Sequence, residues 1–148
     1  MTAMLRWMAR AALACYPFPC GQGRIIDKTF LARLKFRERT MRVRTTDGFA
    51  IKVFPNDHIG RHICLSGEFD RTIPEVLIHL SRPGDRILDV GANVGYVSCV
   101  LLSKIADSRV VSVEPQPDVY AVLADNVRSV GSERARVPPG LTGTSSRH

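Results

Sequence analysis

The segment Asp89-Val90-Gly91-Ala92-Asn93-Val94-Gly95 follows the apolar pair Ile87-Leu88 and opens a helical pattern, and it restricts this chain more than any other stretch. A strand that runs into a tight turn and then a helix N-terminus brings bare backbone close to a ligand. Glycine is needed there wherever a Cβ would block the turn or the approach. Turns of this kind sit at the carboxyl ends of strands in open parallel sheets and serve nucleotide-like cofactors.

The spacing narrows the choice of ligand. A dinucleotide loop, G-x-G-x-x-G, would require glycine at Gly91, Asn93 and Tyr96, and only the first fits. Methyl-donor loops carry an acidic residue and then G-x-G-x-G. Asp89, Gly91 and Gly95 match that pattern, with Asn93 in place of the middle glycine. Glu114 follows Gly95 by 19 residues, the distance expected of a carboxylate at the tip of the neighbouring strand, where it would accept ribose hydroxyls. That distance alone also suits a nicotinamide dinucleotide; the start at Asp89 and the Glu114-Pro115 pair favour the methyl donor. A strand-ending glycine with no ligand would explain Gly91 by itself, but not Asp89, Gly91, Gly95 and Glu114 together.

The run Leu88-Asp89-Val90-Gly91-Ala92-Asn93-Val94-Gly95-Tyr96 resembles the first motif of the FkbM-type S-adenosylmethionine-dependent methyltransferases, in which asparagine is expected at the position of Asn93. The similarity continues in Gly67-Glu68-Phe69-Asp70, Arg82-Pro83-Gly84-Asp85, Val113-Glu114-Pro115-Gln116-Pro117 and Leu123-Ala124-Asp125-Asn126, over residues 41–130. The resemblance implies a Rossmann-like class I sheet, S-adenosylmethionine as cofactor, and methyl transfer to a small-molecule or saccharide hydroxyl. It assigns Asp89 to holding the turn and facing the methionyl ammonium, and it places Asp70 where the family carries an acidic residue near the cofactor. Asp70 reads equally as an N-cap for the helix after it, Asn93 as a helix N-cap, a pocket side chain or both, and Tyr96 as a packing residue in preference to a cover over the ligand. In the family further strands and the acceptor-side residues follow Val130. The chain therefore reads as the cofactor-binding half of such an enzyme, with no residue assignable as base, or as a catalytically silent fragment that needs a partner to fold.

Periodicity supplies the expected architecture: a helical arm over 1–39, a β-hairpin plus Rossmann-like half domain over 40–130, and an irregular tail over 131–148. Leu5 to Leu13 reads as a short helix, and a second helix is expected from Lys28. Met41, Val43 and Thr45 alternate with arginines, Asp47-Gly48 supplies a turn, and Phe49, Ile51 and Val53 alternate beyond it. Ile73, Val76, Leu77 and Leu80 recur at helical spacing over 70–81. A buried strand over 86–90, a helix over 93–105, a strand over 109–114 and a helix from Pro117 predict a parallel sheet with right-handed crossovers, and Ala135-Arg136-Val137 reads as the remnant of a third strand.

Other chemistries find little support. The excess of 21 basic over 14 acidic residues is scattered and not banded with aromatics, which argues against a nucleic-acid stripe. Four cysteines without a C-x-x-C pair point to a reducing, cytoplasmic setting. The arm is too broken by Arg6, Arg10, Pro17 and Pro19 to span a bilayer, although Leu5 to Leu13 suits a membrane surface. A parallel sheet ended this early would leave a bare edge for self-association. His58 and His62 have the spacing of a helical metal pair, but Pro55-Asn56 and Gly60 argue against a helix, so they are expected in a solvated loop; no metal site is expected.

Overall fold

Glycines, prolines and capping side chains cut the chain into short elements, and in the computed structural model these are described over residues 22–139 together with Met8, Ala9, Ala11–Leu13 and Cys15. Most of the expected Leu5 to Leu13 helix and the tail from residue 140 lie outside the described residues; Met8–Ala9 and Ala11–Leu13 are helical. The chain divides into two units, residues 1–72 and 73–148. Among the described residues, no helix is long and apolar enough to cross a membrane.

The first unit holds α1 (Gln22–Lys28), a 3-10 turn (Phe30–Arg33), the antiparallel pair β1 (Met41–Arg44) and β2 (Ala50–Val53), and α2 (His58–Ser66). The hairpin forms as expected, Met41 opposite Val53 and Arg44 opposite Ala50, with Gly48 at a positive φ in its turn. The expected helix from Lys28 does not form; α1 ends there. Thr29 leaves the helical region (φ −111°, ψ −178°) and its hydroxyl accepts a hydrogen bond from Leu31 N–H, starting a 3-10 turn instead. The expected loop at 58–62 is also corrected, because α2 begins at His58. Asp57 caps it, accepting from Gly60 N–H at 2.5 Å, while Pro55 and Asn56 lie ahead of the cap and do no harm to the helix. The Asn56 amide pairs with both the N–H and the carbonyl of Phe36, and Ile26, Phe36, Ile51, Val53, Ile63 and Leu65 are buried.

In the second unit α3 (Thr72–Leu80), β3 (Arg86–Val90), α4 (Tyr96–Lys104), β4 (Arg109–Val113), α5 (Pro117–Gly131) and β5 (Ala135–Arg136) alternate. The sheet order is β3-β4-β5, all parallel, with Asp89 beside Ser112 and Val110 beside Ala135. The suspected remnant at 135–137 is thus a short third strand. Two successive crossovers in one direction lay α4 and α5 on the same face, where Val110, Cys99, Leu101, Leu123 and Val127 are buried.

The strand expected to be buried is not. β3 alternates exposed and half-buried residues, with Leu88 65% and Val90 74% exposed; among the described residues it is the edge strand of the β3-β4-β5 sheet, and α4 and α5 lie on one face only. α3 forms as expected, yet Ile73, Val76 and Leu80 on its apolar stripe are exposed too.

Gly95 sets the crossing of α4 and α5. Its φ is +83°, and a Cβ there would stand 2.6 Å from Leu123 Cδ1 and 3.2 Å from Val127 Cγ1. Left-handed backbone and overpacking each oppose a side chain, so Gly95→Ala is expected to lower stability by about 2–3 kcal/mol in urea or thermal melts. A wild-type midpoint for this variant would contradict the close contact described.

Candidate functional site

Strand register brings Asp89 and Glu114 to the carboxyl tips of adjacent strands, with the glycine turn between them. The turn is pinned to β4: Val113 carbonyl accepts from both Gly91 N–H (2.9 Å) and Ala92 N–H (3.0 Å). Glu114, only 6% exposed, then joins the two loops, its Oε2 accepting from Asn93 N–H at 3.1 Å and its Oε1 from Gln116 N–H at 3.0 Å. Each carboxylate oxygen keeps a further lone pair.

Gly91 is exposed with φ +77°, and beyond its chain neighbours no heavy atom lies within 4 Å of where a Cβ would stand. The backbone is open to an approaching ligand there, whereas at Gly95 the room is taken by α5. Asn93 does not cap the helix; the N-cap of α4 is Gly95 and the helix starts at Tyr96, three residues later than expected. Asn93 instead occupies the left-handed region (φ 50°), which short polar side chains tolerate, and its Oδ1 accepts from Val94 N–H at 2.7 Å. Tyr96 is buried at the start of α4, the packing role expected of it.

Asp89 is anchored by residues that the motif does not announce. Ser98 Oγ donates to Asp89 Oδ2 at 2.5 Å and lies 2.7 Å from Ser112 Oγ. A hydroxyl has one proton, so Ser112 must donate to Ser98 and Ser98 to Asp89. Both serines are fully buried. Asp89 Oδ1 takes no hydrogen bond from the described residues and Asp89 is half-buried, so one oxygen stays available. Asn126, also buried, donates from Nδ2 to Val94 carbonyl at 2.8 Å and fixes the turn to α5.

Asp70 belongs to the first unit, ahead of α3, exposed and with φ 37°. In the same motif Glu68 accepts from Thr46 Oγ1 (3.1 Å) and Arg71 Nη1 (2.9 Å), tying the hairpin turn to the end of α2. Arg82-Pro83-Gly84-Asp85 is a turn closed by Asp85 Oδ2 on Arg82 N–H at 2.7 Å. A hollow of about 470 Å³ lies by the opposite ends of the strands, lined by Arg86, Arg109, Arg136 and Arg134. The Arg134 guanidinium is committed to Leu102 and Ile105 carbonyls, and neither Asp89 nor Glu114 reaches this hollow.

A parallel sheet with a strand-tip carboxylate on either side of a glycine turn is Rossmann-like, and with the family match it is that of a class I methyltransferase. The chain belongs to the family of protein-L-isoaspartate(D-aspartate) O-methyltransferase (PCMT), whose sequence profile matches residues 66–143, just over half of it. No curated protein matches the chain. Solved structures of similar fold include PH0793 of Pyrococcus horikoshii (14% identity, 72% of this chain and 38% of that one, TM-score 0.55). TYW2 of P. horikoshii, solved in complex with MeSAdo, is similar to the same degree (13% identity, 72% and 38% coverage, TM-score 0.52). The chain spans well under half the length of such structures, 29% and 38% of the first ones matched.

Burial, and after it the adjacent Asp89 carboxylate, push the Cys99 thiol up to about 12 from an ordinary 9.0. At pH 8 the native thiolate fraction is then roughly one in ten thousand, so a thiol reagent is expected to spare Cys99 in the folded protein while modifying exposed Cys15. The folded state also holds a proton that the unfolded chain releases, so this group's contribution to stability is present below pH 9.0 and is lost as pH rises toward about 12. Native-state labelling of Cys99 at the rate of an unfolded control would contradict the full burial of its thiol.

Proposed function

We propose that the β3–α4 turn and the tips of β3 and β4 bind S-adenosylmethionine, and that the protein acts as an O-methyltransferase. The observation that carries this reading is the Glu114 carboxylate, held by two backbone N–H groups beside a turn left open at Gly91. The family match and the MeSAdo complex of TYW2 support it. The residues fit the cofactor: the remaining lone pairs of Glu114 suit ribose hydroxyls, Asp89 Oδ1 suits an ammonium, and bare backbone at Gly91 admits the ligand.

The cofactor supplies a methyl group already activated by its positive sulfur. The protein's share is to bind and orient it, through carboxylates whose positions are set before the ligand arrives. For the acceptor, the FkbM-type resemblance favours a small-molecule or saccharide hydroxyl, while the name of the matched family points to a carboxyl; both make the transfer an O-methylation. None of the residues placed here is assigned as base.

A second reading is a catalytically silent chain that folds fully only with a partner or a second copy. It is favoured by exposed Ile73, Val76, Leu80, Leu88 and Val90 and by the outer edge of β3, which pairs with no strand among the described residues. Thermal melts separate the two. A cooperative melt raised by S-adenosylhomocysteine, and an affinity at least about tenfold weaker in Glu114→Gln, are expected of the cofactor site. A cooperative melt that the ligand leaves unmoved would refute cofactor binding, and a chain with no cooperative melt in either condition supports the silent one.

A further inference from the structure

The first unit carries a second cluster of chemically capable side chains, independent of the glycine turn. His58 and His62 stand one turn apart on α2, and Asp27 meets them from α1. Asp27 Oδ1 is 2.8 Å from His62 Nε2 and 3.5 Å from His58 Nδ1, and one donor atom from each of the three side chains falls within 4.8 Å of the others. The His62 side chain is 8% exposed, His58 60% and Asp27 47%, so the cluster has a buried floor and an open side. Phe69 packs edge-on against both imidazoles, at 5.7 and 5.6 Å between ring centroids. The two helices are held by a core that includes fully buried Ile26 and Ile63. The start of α2 is fixed as well: a Cβ on Gly60 would stand 1.9 Å from Phe54 carbonyl oxygen.

An ordinary histidine–carboxylate hydrogen bond accounts for Asp27 and His62. His58 stands 3.5 Å from the same oxygen, an ion-pair separation longer than an ordinary hydrogen bond, with its ring 4.6 Å from that of His62. The two oxygen–nitrogen separations, 2.8 and 3.5 Å, bracket the about 3.3 Å expected between two ligands of a single tetrahedral ion with bonds of about 2.0–2.1 Å, and the three donor atoms, within 4.8 Å of one another, need only small side-chain movements to close on one ion. We propose that Asp27, His58 and His62 form a three-ligand site for a divalent transition-metal ion of the zinc class. Two imidazoles and one carboxylate suit such an ion better than magnesium or calcium, which take oxygen ligands. Coordination would spread the 2.8 Å pair by a few tenths of an ångström, a small movement for the half-exposed Asp27. The fourth position faces the open side and takes water or an exogenous ligand.

The test uses the full chain, stripped with EDTA and titrated with ZnCl2 in thermal melts and with CoCl2 in visible absorption. One equivalent of zinc is expected to raise the melting temperature, and cobalt to give the d–d bands of a tetrahedral nitrogen and oxygen site. His58→Ala is expected to change the metal-free melt only slightly, because the side chain is mostly exposed, and to weaken zinc binding at least about tenfold relative to the wild type. Asp27→Asn should act in the same direction, and either variant carries the test if His62→Ala does not fold. Absence of a zinc-dependent shift, full retention of it in His58→Ala, or a cobalt spectrum dominated by thiolate charge transfer would each overturn the assignment.

Discussion

The candidate cofactor site depends on one buried anion. Glu114 sits at the end of β4 with almost no solvent, and its carboxylate is satisfied by backbone N–H groups from two loops, Asn93 on one side and Gln116 on the other. Burying a carboxylate costs several kcal/mol. Two charge-assisted hydrogen bonds return about 1.5–3 kcal/mol each, so the arrangement roughly offsets its own desolvation and leaves little margin for losing either donor. The consequence is positional: the β3–α4 turn and the β4–α5 loop cannot separate without stranding the charge. A ligand that contacts both loops therefore meets a surface already assembled.

The same economy holds one layer deeper. Asp89 is kept at the tip of β3 by a hydrogen-bonded series from Ser112 through Ser98, each hydroxyl having one proton to give and one direction left to give it. Because the series ends on Asp89, one carboxylate oxygen is committed to the fold and the other takes no hydrogen bond from the described residues. Asn126 closes the opposite side by holding Val94 carbonyl, which ties the turn to α5 as Glu114 ties it to β4.

Much of this was legible from the chain, for identifiable reasons. Strands 86–90 and 109–113 and the helix from Pro117 are bounded by local signals, proline at the first helical position and short apolar runs, and those signals act within a few residues. The errors arose where the deciding partner is distant or the residue type is ambiguous. Pro55-Asn56 and Gly60 argue for a loop by propensity, whereas the first two lie ahead of the Asp57 cap and the place of Gly60 is set by Phe54 carbonyl packed against it. Asparagine at position 93 suits a helix N-cap or a pocket side chain by residue type, and it serves equally well in the left-handed turn it occupies. Ser98 and Ser112 left only a faint trace. Ser112 shares the inward register of β4 with Val110, and a hydroxyl in that register needs a buried partner.

The half-covered sheet explains why the tips can be ordered while β3 is bare. Parallel strands are usually covered on both faces, and full burial of Leu88 and Val90 would add about 1.5–3 kcal/mol each. Yet the contacts that place the candidate site all come from the covered side: the Asp89–Ser98–Ser112 series, the Glu114 bridge and the Asn126 clamp involve only β3, β4, α4, α5 and the loops between them. Covering the second face would therefore add stability without redrawing the turn. Positioning of the two carboxylates and burial of the β3 outer face are separable, the first governed by directional hydrogen bonds and the second by apolar area.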